Sequence, residues 1–504
     1  MTRLVPALFA LPLCLVPPAT AQTGVAIPQR FAASPGGASL SAEGLASWWK
    51  TLRDDKLNRL VEDTLLNNRD LLVAQARVAE AQARRRAAAG ELWPQLSAEI
   101  GGSRAKSSEL TRQGSLGGSR PVNTFSGVGQ VSWEVDVFGR IRQGVRAAQA
   151  QAEASEEARR DVMVLLLSEV VSTYVELRGL QAEQGVVLEN IKSQEATASL
   201  TRTRRDAGVD NNLAVAQAEG LLATTKATLP PINAAIKEAM HRLATLTGQT
   251  PDAYLKELSA SARLPRVPSQ IPAGLPSELL LRRPDVRQAE RLVAASAAQV
   301  GQARAARLPR FALTAQGGLQ SSEIDDIVDR RANLWSFGAS MSIPLFTGGT
   351  LRENVRIAQA ALDQARASYE QAMLVALEEV ETALVHYAEA HKRLAALREA
   401  ESQARKTLSL SDDLYRNGAG SFLNVLDAQR SLLQAEGQAV VAERQVVLNL
   451  VTVYKALGGG WEGLDAATVP GGKQPVDAAA PAEPVFTDGE AADVKRLTPA
   501  KKKR

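Results

Sequence analysis

Ala207-Gly208-Val209-Asp210-Asn211-Asn212-Leu213-Ala214-Val215 and Asn417-Gly418-Ala419-Gly420-Ser421-Phe422-Leu423-Asn424-Val425 decide how this chain is read. Gly208 answers Gly418, Leu213 answers Leu423 and Val215 answers Val425. Outward from the turns the match continues. The long helical stretch 141–205 precedes the first turn and 351–416 the second, and a further helical stretch follows each. Upstream, Leu92-Trp93-Pro94-Gln95-Leu96 answers Arg307-Leu308-Pro309-Arg310-Phe311, and Gly101-Gly102 answers Gly317-Gly318. One unit of strand, strand, long helix, turn and helix is built twice in tandem.

The strands show period-two alternation. In 125–137, Phe125, Val131, Trp133, Val135 and Val137 share one face, and Ser126, Gln130, Ser132, Glu134 and Asp136 the other. In 335–345, Trp335, Phe337, Ala339, Met341, Ile343 and Leu345 oppose Ser336, Gly338, Ser340 and Ser342. Residues 92–100 and 311–319 alternate less richly. Such a pattern suits hairpins in a soluble sheet, but also tilted strands crossing a bilayer of about 9–11 residues each. The hydroxyl-rich polar faces, with Glu99, Glu134 and Asp136, favour a water-filled lumen. Four strands cannot close a barrel, which needs about eight. An open edge is not tolerated in lipid. Several chains must therefore share one barrel.

Stretch 141–205 holds no proline and spans roughly 95–100 Å as a helix. Its apolar positions include Val164, Leu167, Val171, Tyr174 and Leu177; the second copy uses Leu377, Val380, Leu384 and Tyr387. The returning helices, 213–246 and 423–457, are about half as long. Helices over 56–89 and 284–306 supply the missing halves, so each long helix lies beside two short ones set end to end. Pro230-Pro231 breaks the first returning helix, whereas Val440-Val441 leaves the second intact. The hairpins then lie at one end and the Gly turns at the other.

Aromatic residues make up 4% of the 504, as in long helices rather than compact cores. Arg3, the apolar run 4–16 and Ala19-Thr20-Ala21 predict a secretory signal over 1–21. Leu11-Pro12-Leu13-Cys14 also admits a lipobox reading with Cys14 lipidated, against which stands the bulky Leu13. The net charge of +4 is carried by interleaved signs, as in 202–206 and 389–401, which argues for solvated helices and against nucleic acid. No residue set looks catalytic. His241, His386 and His391 lack metal-ligand spacing and read as helix-surface residues, and no cofactor or metal site is expected.

A family resemblance joins these features. Ile271-Pro272-Ala273-Gly274-Leu275-Pro276-Ser277-Glu278-Leu279-Leu280-Leu281-Arg282-Arg283-Pro284-Asp285-Val286-Arg287 resembles the signature between the two repeats of TolC-type outer-membrane factors, in the NodT/OprM-like branch that serves RND pumps. Trp48-Trp49, Asn68-Arg69-Asp70-Leu71, Trp133-Glu134-Val135-Asp136-Val137-Phe138-Gly139-Arg140 and Tyr454-Lys455-Ala456-Leu457-Gly458-Gly459-Gly460-Trp461 are similar to the same branch. The resemblance implies a mainly α protein with a transmembrane β part: a homotrimer whose four strands per chain share a β-barrel in outer-membrane lipid, continued by a helical barrel through the periplasm. Its partners would be a periplasmic adaptor and an inner-membrane RND transporter. Its role would be a passive exit duct, not an enzyme. A type I protein-secretion duct and a pore-less periplasmic coiled-coil scaffold are the alternatives.

The expected division is a signal peptide over 1–21, an extended segment over 22–55, a first repeat over 56–248 (strands about 92–103 and 123–138), a linker over 249–283, a second repeat over 284–460 (strands about 308–320 and 333–346) and a disordered tail over 461–504. The resemblance also implies site residues. Asp427 would ring the gate as three carboxylates, favouring cations. Asn424 stands where some relatives carry a second acid. Tyr415 would hold helix pairs together at the closed end. Ala214 replaces a gate acid of some relatives, with Asp210 nearby but not equivalent. Ala207, Gly208, Val209, Asn417, Gly418 and Ala419 would dock the adaptor.

Overall fold

The computed structural model describes residues 42–106, 120–265, 267 and 282–462. The signal peptide with Cys14, the glycines 117 and 118, most of the linker signature and the tail from 463 lie outside the described residues.

The chain opens with α1 (Ala42–Ala46) and a 3-10 turn, Trp48–Leu52, whose Trp48 is buried and stacks on Tyr454 at 4.9 Å. Then follow α2 (Asp55–Asn67), α3 (Arg69–Gly90), β1 (Gln95–Ala105) and β2 (Val122–Val135). The first long helix is α4 (Arg140–Asp206), and the chain returns through α5 (Asn212–Ala227) and α6 (Leu229–Leu246). The second copy comprises α7 (Pro284–Ala305), β3 (Arg310–Ser321), β4 (Asn333–Ser342), α8 (Thr350–Arg416) and α9 (Phe422–Ala456).

Two short helices replace the single one expected over 56–89. Asn68 adopts an extended ψ of 132°, its side chain caps α3 by accepting from the amides of Asp70 and Leu71, and its Nδ2 donates to the Leu246 carbonyl at 2.9 Å. The break at Thr228 falls two residues before Pro230, since proline is tolerated in the first turn of a helix. α9 runs through Val440-Val441 without interruption.

α4 packs against α3, α5, α6, α7 and α9, while α8 packs on α7 and α9. Each long helix of 67 residues thus has short helices along its length, over about 100 Å. None of the described helices is long and apolar enough to cross a membrane.

The four strands form one antiparallel sheet in the order β1-β2-β3-β4. Its register aligns Leu96 with Val131, Val131 with Ala315 and Ala315 with Phe337, so the apolar alternation of all four strands falls on one face. That face is bare: Ile100 is 90% exposed and Trp335 79%. β4 stops at Ser342, two residues before Pro344, shorter than the expected 333–346. β2 stops at Val135 because the Asp136 carboxylate turns to accept from the amides of Ile141 and Arg142, starting α4.

Candidate gate and docking site

The two turns at the far end share one backbone design. Gly208 takes a φ of +77° and Gly418 of +74°, a region costly for residues with a Cβ. The bend lets the amides of Val209 and Asp210 both donate to the Arg204 carbonyl, at 2.9 and 3.3 Å. In the second turn Ala419 and Gly420 donate to the Leu414 carbonyl, at 2.9 and 3.0 Å. Asn211 then caps α5 and Ser421 caps α9. A Cβ placed on Gly208 or Gly418 would meet nothing within 4 Å, so these surfaces are open to a partner's close approach.

Behind the turns the two helix pairs are tied together. Tyr415, at the end of α8, is 1% exposed, and its hydroxyl donates to Asp210 Oδ2 at 2.6 Å. Arg204 of α4 donates to the same oxygen at 2.9 Å and lays its guanidinium 4.6 Å from the centre of the Tyr415 ring. The ring packs on Phe422 at 5.6 Å, within a cluster of Ala198, Ala214, Ala218, Leu221, Val425 and Leu426. Burial, with the bond to the Asp210 carboxylate, pushes the Tyr415 phenol above its usual pKa, so it stays a neutral donor. Asp210 is therefore the acceptor for Tyr415. Its importance was hidden because the bond joins residues 205 positions apart.

Asn424 and Asp427 sit on the exposed face of α9, opposite buried Val425, Leu426 and Gln429. Asp427 is 65% exposed in the single chain and lies 3.8 Å from Arg430.

From the tip, α4 and α9 are joined by further polar rungs that the sequence reading missed. Gln429 donates to Thr197 at 2.8 Å. Asn190 donates to Glu436 at 2.7 Å, and Arg405 holds the other oxygen of Glu436 at 2.6 Å. Gln194, only 2% exposed, has neither amide atom partnered among the described residues. A usable signal existed. Gln194 and Thr201 share the helical stripe of Val187, Ile191 and Ala198, all buried.

Charges are also buried where the two repeats join. Arg283 donates to the Ala456 carbonyl at 2.9 Å and pairs with Asp285 and Glu379, each at 2.7 Å. Desolvation first, then the nearby Asp285, raises the pKa of half-buried Asp161, against the pull of Arg283 and Lys455. Glu157 pairs with Arg160 and Arg287, whose guanidiniums both lie over the Trp461 ring. His241 and His386 are exposed, but His391 is not the surface residue expected. It is half-buried edge-on to Tyr387 at 4.6 Å, its Nε2 lacks a partner among the described residues, and burial lowers its pKa. The described residues contain no group of side chains suited to hold a metal ion.

An amphipathic sheet whose two outer edges pair with no other strand among the described residues, continued by helices of about 100 Å to a hydrogen-bonded far end, defines the wall of a conduit rooted in an outer membrane. The chain belongs to the outer membrane efflux protein family, whose model matches residues 60–249 and 275–459. It is 34% identical over 467 residues to the pyoverdine export outer membrane protein OpmQ of Pseudomonas aeruginosa, covering 91% of this chain and 96% of that protein. To the cation efflux system protein CusC of Escherichia coli O6:H1 it is 31% identical, covering 91% of this chain and 99% of CusC. Among solved structures, the outer-membrane channel OprN superposes with a TM-score of 0.82 at 35% identity, covering 87% of this chain and 98% of OprN. The open state of MtrE from Neisseria gonorrhoeae does so with 0.75 at 29%, covering 88% and 98%. The protein is thus an outer-membrane efflux channel, passive rather than enzymatic, working as a trimer with a periplasmic adaptor and an inner-membrane RND pump. The pore-less scaffold falls with that membership.

Proposed function

We propose that this channel is the exit duct for small molecules released by the RND transporter, and that its far end is a gate latched by Tyr415, Asp210 and Arg204. The observation that carries the reading is the 2.6 Å bond from Tyr415 to Asp210, because it ties the pair α8/α9 to the pair α4/α5 beside the turns. Widening the end must separate those pairs and break a charge-assisted bond.

Asp427, exposed on α9 beside Asn424, supplies the gate's charge. Three copies around the axis repel one another and favour cations. Ala207, Gly208, Val209, Asn417, Gly418 and Ala419 form the docking edge, where the open space around both glycines admits an adaptor's backbone. Relatives are named for cations, pyoverdine and toluene, a range that supports a permissive duct and leaves selection to the pump.

Photo-crosslinkers at Val209 and Ala419 test the docking edge. Capture of the adaptor is expected, with none from the exposed middle of α8. Capture from α8 alone would move the contact elsewhere.

A further inference from the structure

The corner where the first hairpin meets the helices carries chemistry that its copy in the second half lacks. In the backbone the copy is close. Gly90 and Ala305 end α3 and α7, Gln95 and Arg310 begin β1 and β3, and Gly139 and Gly349 precede the long helices. The strand pair Gln95–Ser132 corresponds to Arg310–Ser342, and both pairs form.

At the first corner Glu91, Trp93, Gln95, Ser132, Glu134 and Arg140 line one recess of about 420 Å³. A second recess, of about 330 Å³, adjoins it through Glu91 and Ile141. Volumes of about 300–1,000 Å³ suit small molecules. Gln95, Ser132 and Glu134 lie on the sheet face opposite Leu96, Val131 and Val135. In the trimeric channel that polar face borders the water-filled side. The recess therefore opens on the lumen.

The backbone of the corner is pinned from both faces of the sheet. Gln95 Nε2 donates to the Gly90 carbonyl at 3.1 Å and to the Trp93 carbonyl at 3.3 Å. From the apolar face, Trp133 Nε1 donates to the Leu92 carbonyl at 2.9 Å. Trp93 itself is 71% exposed, so its indole is presented rather than packed. Leu308, at the copied corner between two paired strands, is still 41% exposed. A corner of this design thus stays open where strands pair on both its sides.

Charge gives the recess a sign. Arg140 donates to both oxygens of Glu134, each at 3.0 Å, which neutralises that pair. Glu91 is exposed, and among the described residues no side chain bonds to it. Two carboxylates and one guanidinium leave one negative charge in excess. A free carboxylate beside an open indole face attracts a cation that carries an aromatic ring. We propose that the recess is a resting site for aromatic organic cations on their way out, with Glu91 balancing the charge and Trp93 stacking on the ring system. The inference rests on the exit-duct reading and needs nothing from the gate.

The second half serves as an internal control. Ala306, Leu308, Pro344 and Thr350 stand there in place of Glu91, Trp93, Glu134 and Arg140, and the same corner forms. The fold does not require the four groups, so their presence in one half calls for another reason.

The test is equilibrium binding of ethidium, a planar aromatic cation, to the purified trimer in non-ionic detergent. Binding is read by fluorescence polarisation with protein-free micelles subtracted, and fluorescein, planar and anionic, is the comparison. Glu91→Ala and Trp93→Leu install the residues of the second half, so both variants should form trimers by light scattering. Saturable ethidium binding is expected in wild type, weaker by about fivefold or more in each variant, with fluorescein bound less well than ethidium. No saturable binding to wild-type trimers, wild-type affinity in either variant, or fluorescein bound as tightly as ethidium overturns the site. If Trp93→Leu lowers the melting temperature in lipid bilayers yet leaves ethidium binding intact, Trp93 is a lipid anchor and the site is equally overturned. A wild-type chain that forms no trimer overturns the duct reading itself.

Discussion

A phenol that is 1% exposed and bonded to a carboxylate at 2.6 Å must lose a charge-assisted hydrogen bond before its helix can leave the neighbouring pair. Such a bond contributes about 1.5–3 kcal/mol. Tyr415→Phe keeps the ring against Arg204 and Phe422 but removes the donor. The ratio of open to closed channel should rise about tenfold or more, read as open probability in single-channel recordings. An unchanged ratio would remove the latch. Asp161 gives the pH prediction. Its folded pKa is raised by burial and by Asp285, so ionising it costs stability as pH rises through that value, against Arg283 and Lys455 and alongside Glu379. Below the ordinary carboxylate range it is neutral in both folded and unfolded states. Asp161→Asn should therefore raise the melting temperature at neutral pH and leave it unchanged near about pH 3. A gain that persists at low pH would assign the effect to packing instead. Tyr415 could be singled out from its motif because it stands beside a turn that is repeated. Its acceptor Asp210 could not, because only the folded chain brings the two together.

At the scale of elements, strand faces and long helices were legible because their patterns are local: period two in 125–137, no proline in 141–205. The break at Asn68 was not, since its side-chain amide is satisfied by the Leu246 carbonyl, 178 residues away. Helix approach is equally non-local. On α4, a Cβ at Gly179 would lie 2.3 Å from Arg444 Cδ of α9, beside the Arg444–Glu176 ion pair at 3.0 Å. Gly179→Val forces that side chain aside and should cost about 1–3 kcal/mol by overpacking, seen as a lower melting temperature. Stability equal to wild type would mean that Arg444 repacks freely. At the tips the outcome should differ. Gly418→Ala has open space and strains only φ, at a cost of about 1 kcal/mol, so adaptor binding should weaken with only a small fall in melting temperature. Unweakened binding would separate that turn from docking.

The whole molecule is a wall segment, and its parts make sense only in a closed ring. A bare apolar sheet face and two edges that no described strand covers are liabilities in one chain and working surfaces in three, and on the proposed gate the same holds of exposed Asp427. The duplication made that arrangement readable, because four strands are too few for a barrel and two repeats supply two unlike edges. What one sequence could not reveal was how the far end is held, which depends on Arg204, Asp210 and Tyr415 meeting across helix pairs. The most direct measurement is single-channel conductance of the purified trimer in planar bilayers, for wild type, Asp427→Ala and Tyr415→Phe. A gated pore predicts a small cation-selective conductance in wild type, weaker selectivity in Asp427→Ala and a larger conductance in Tyr415→Phe. Folded, inserted trimers that conduct in none of the three would contradict it.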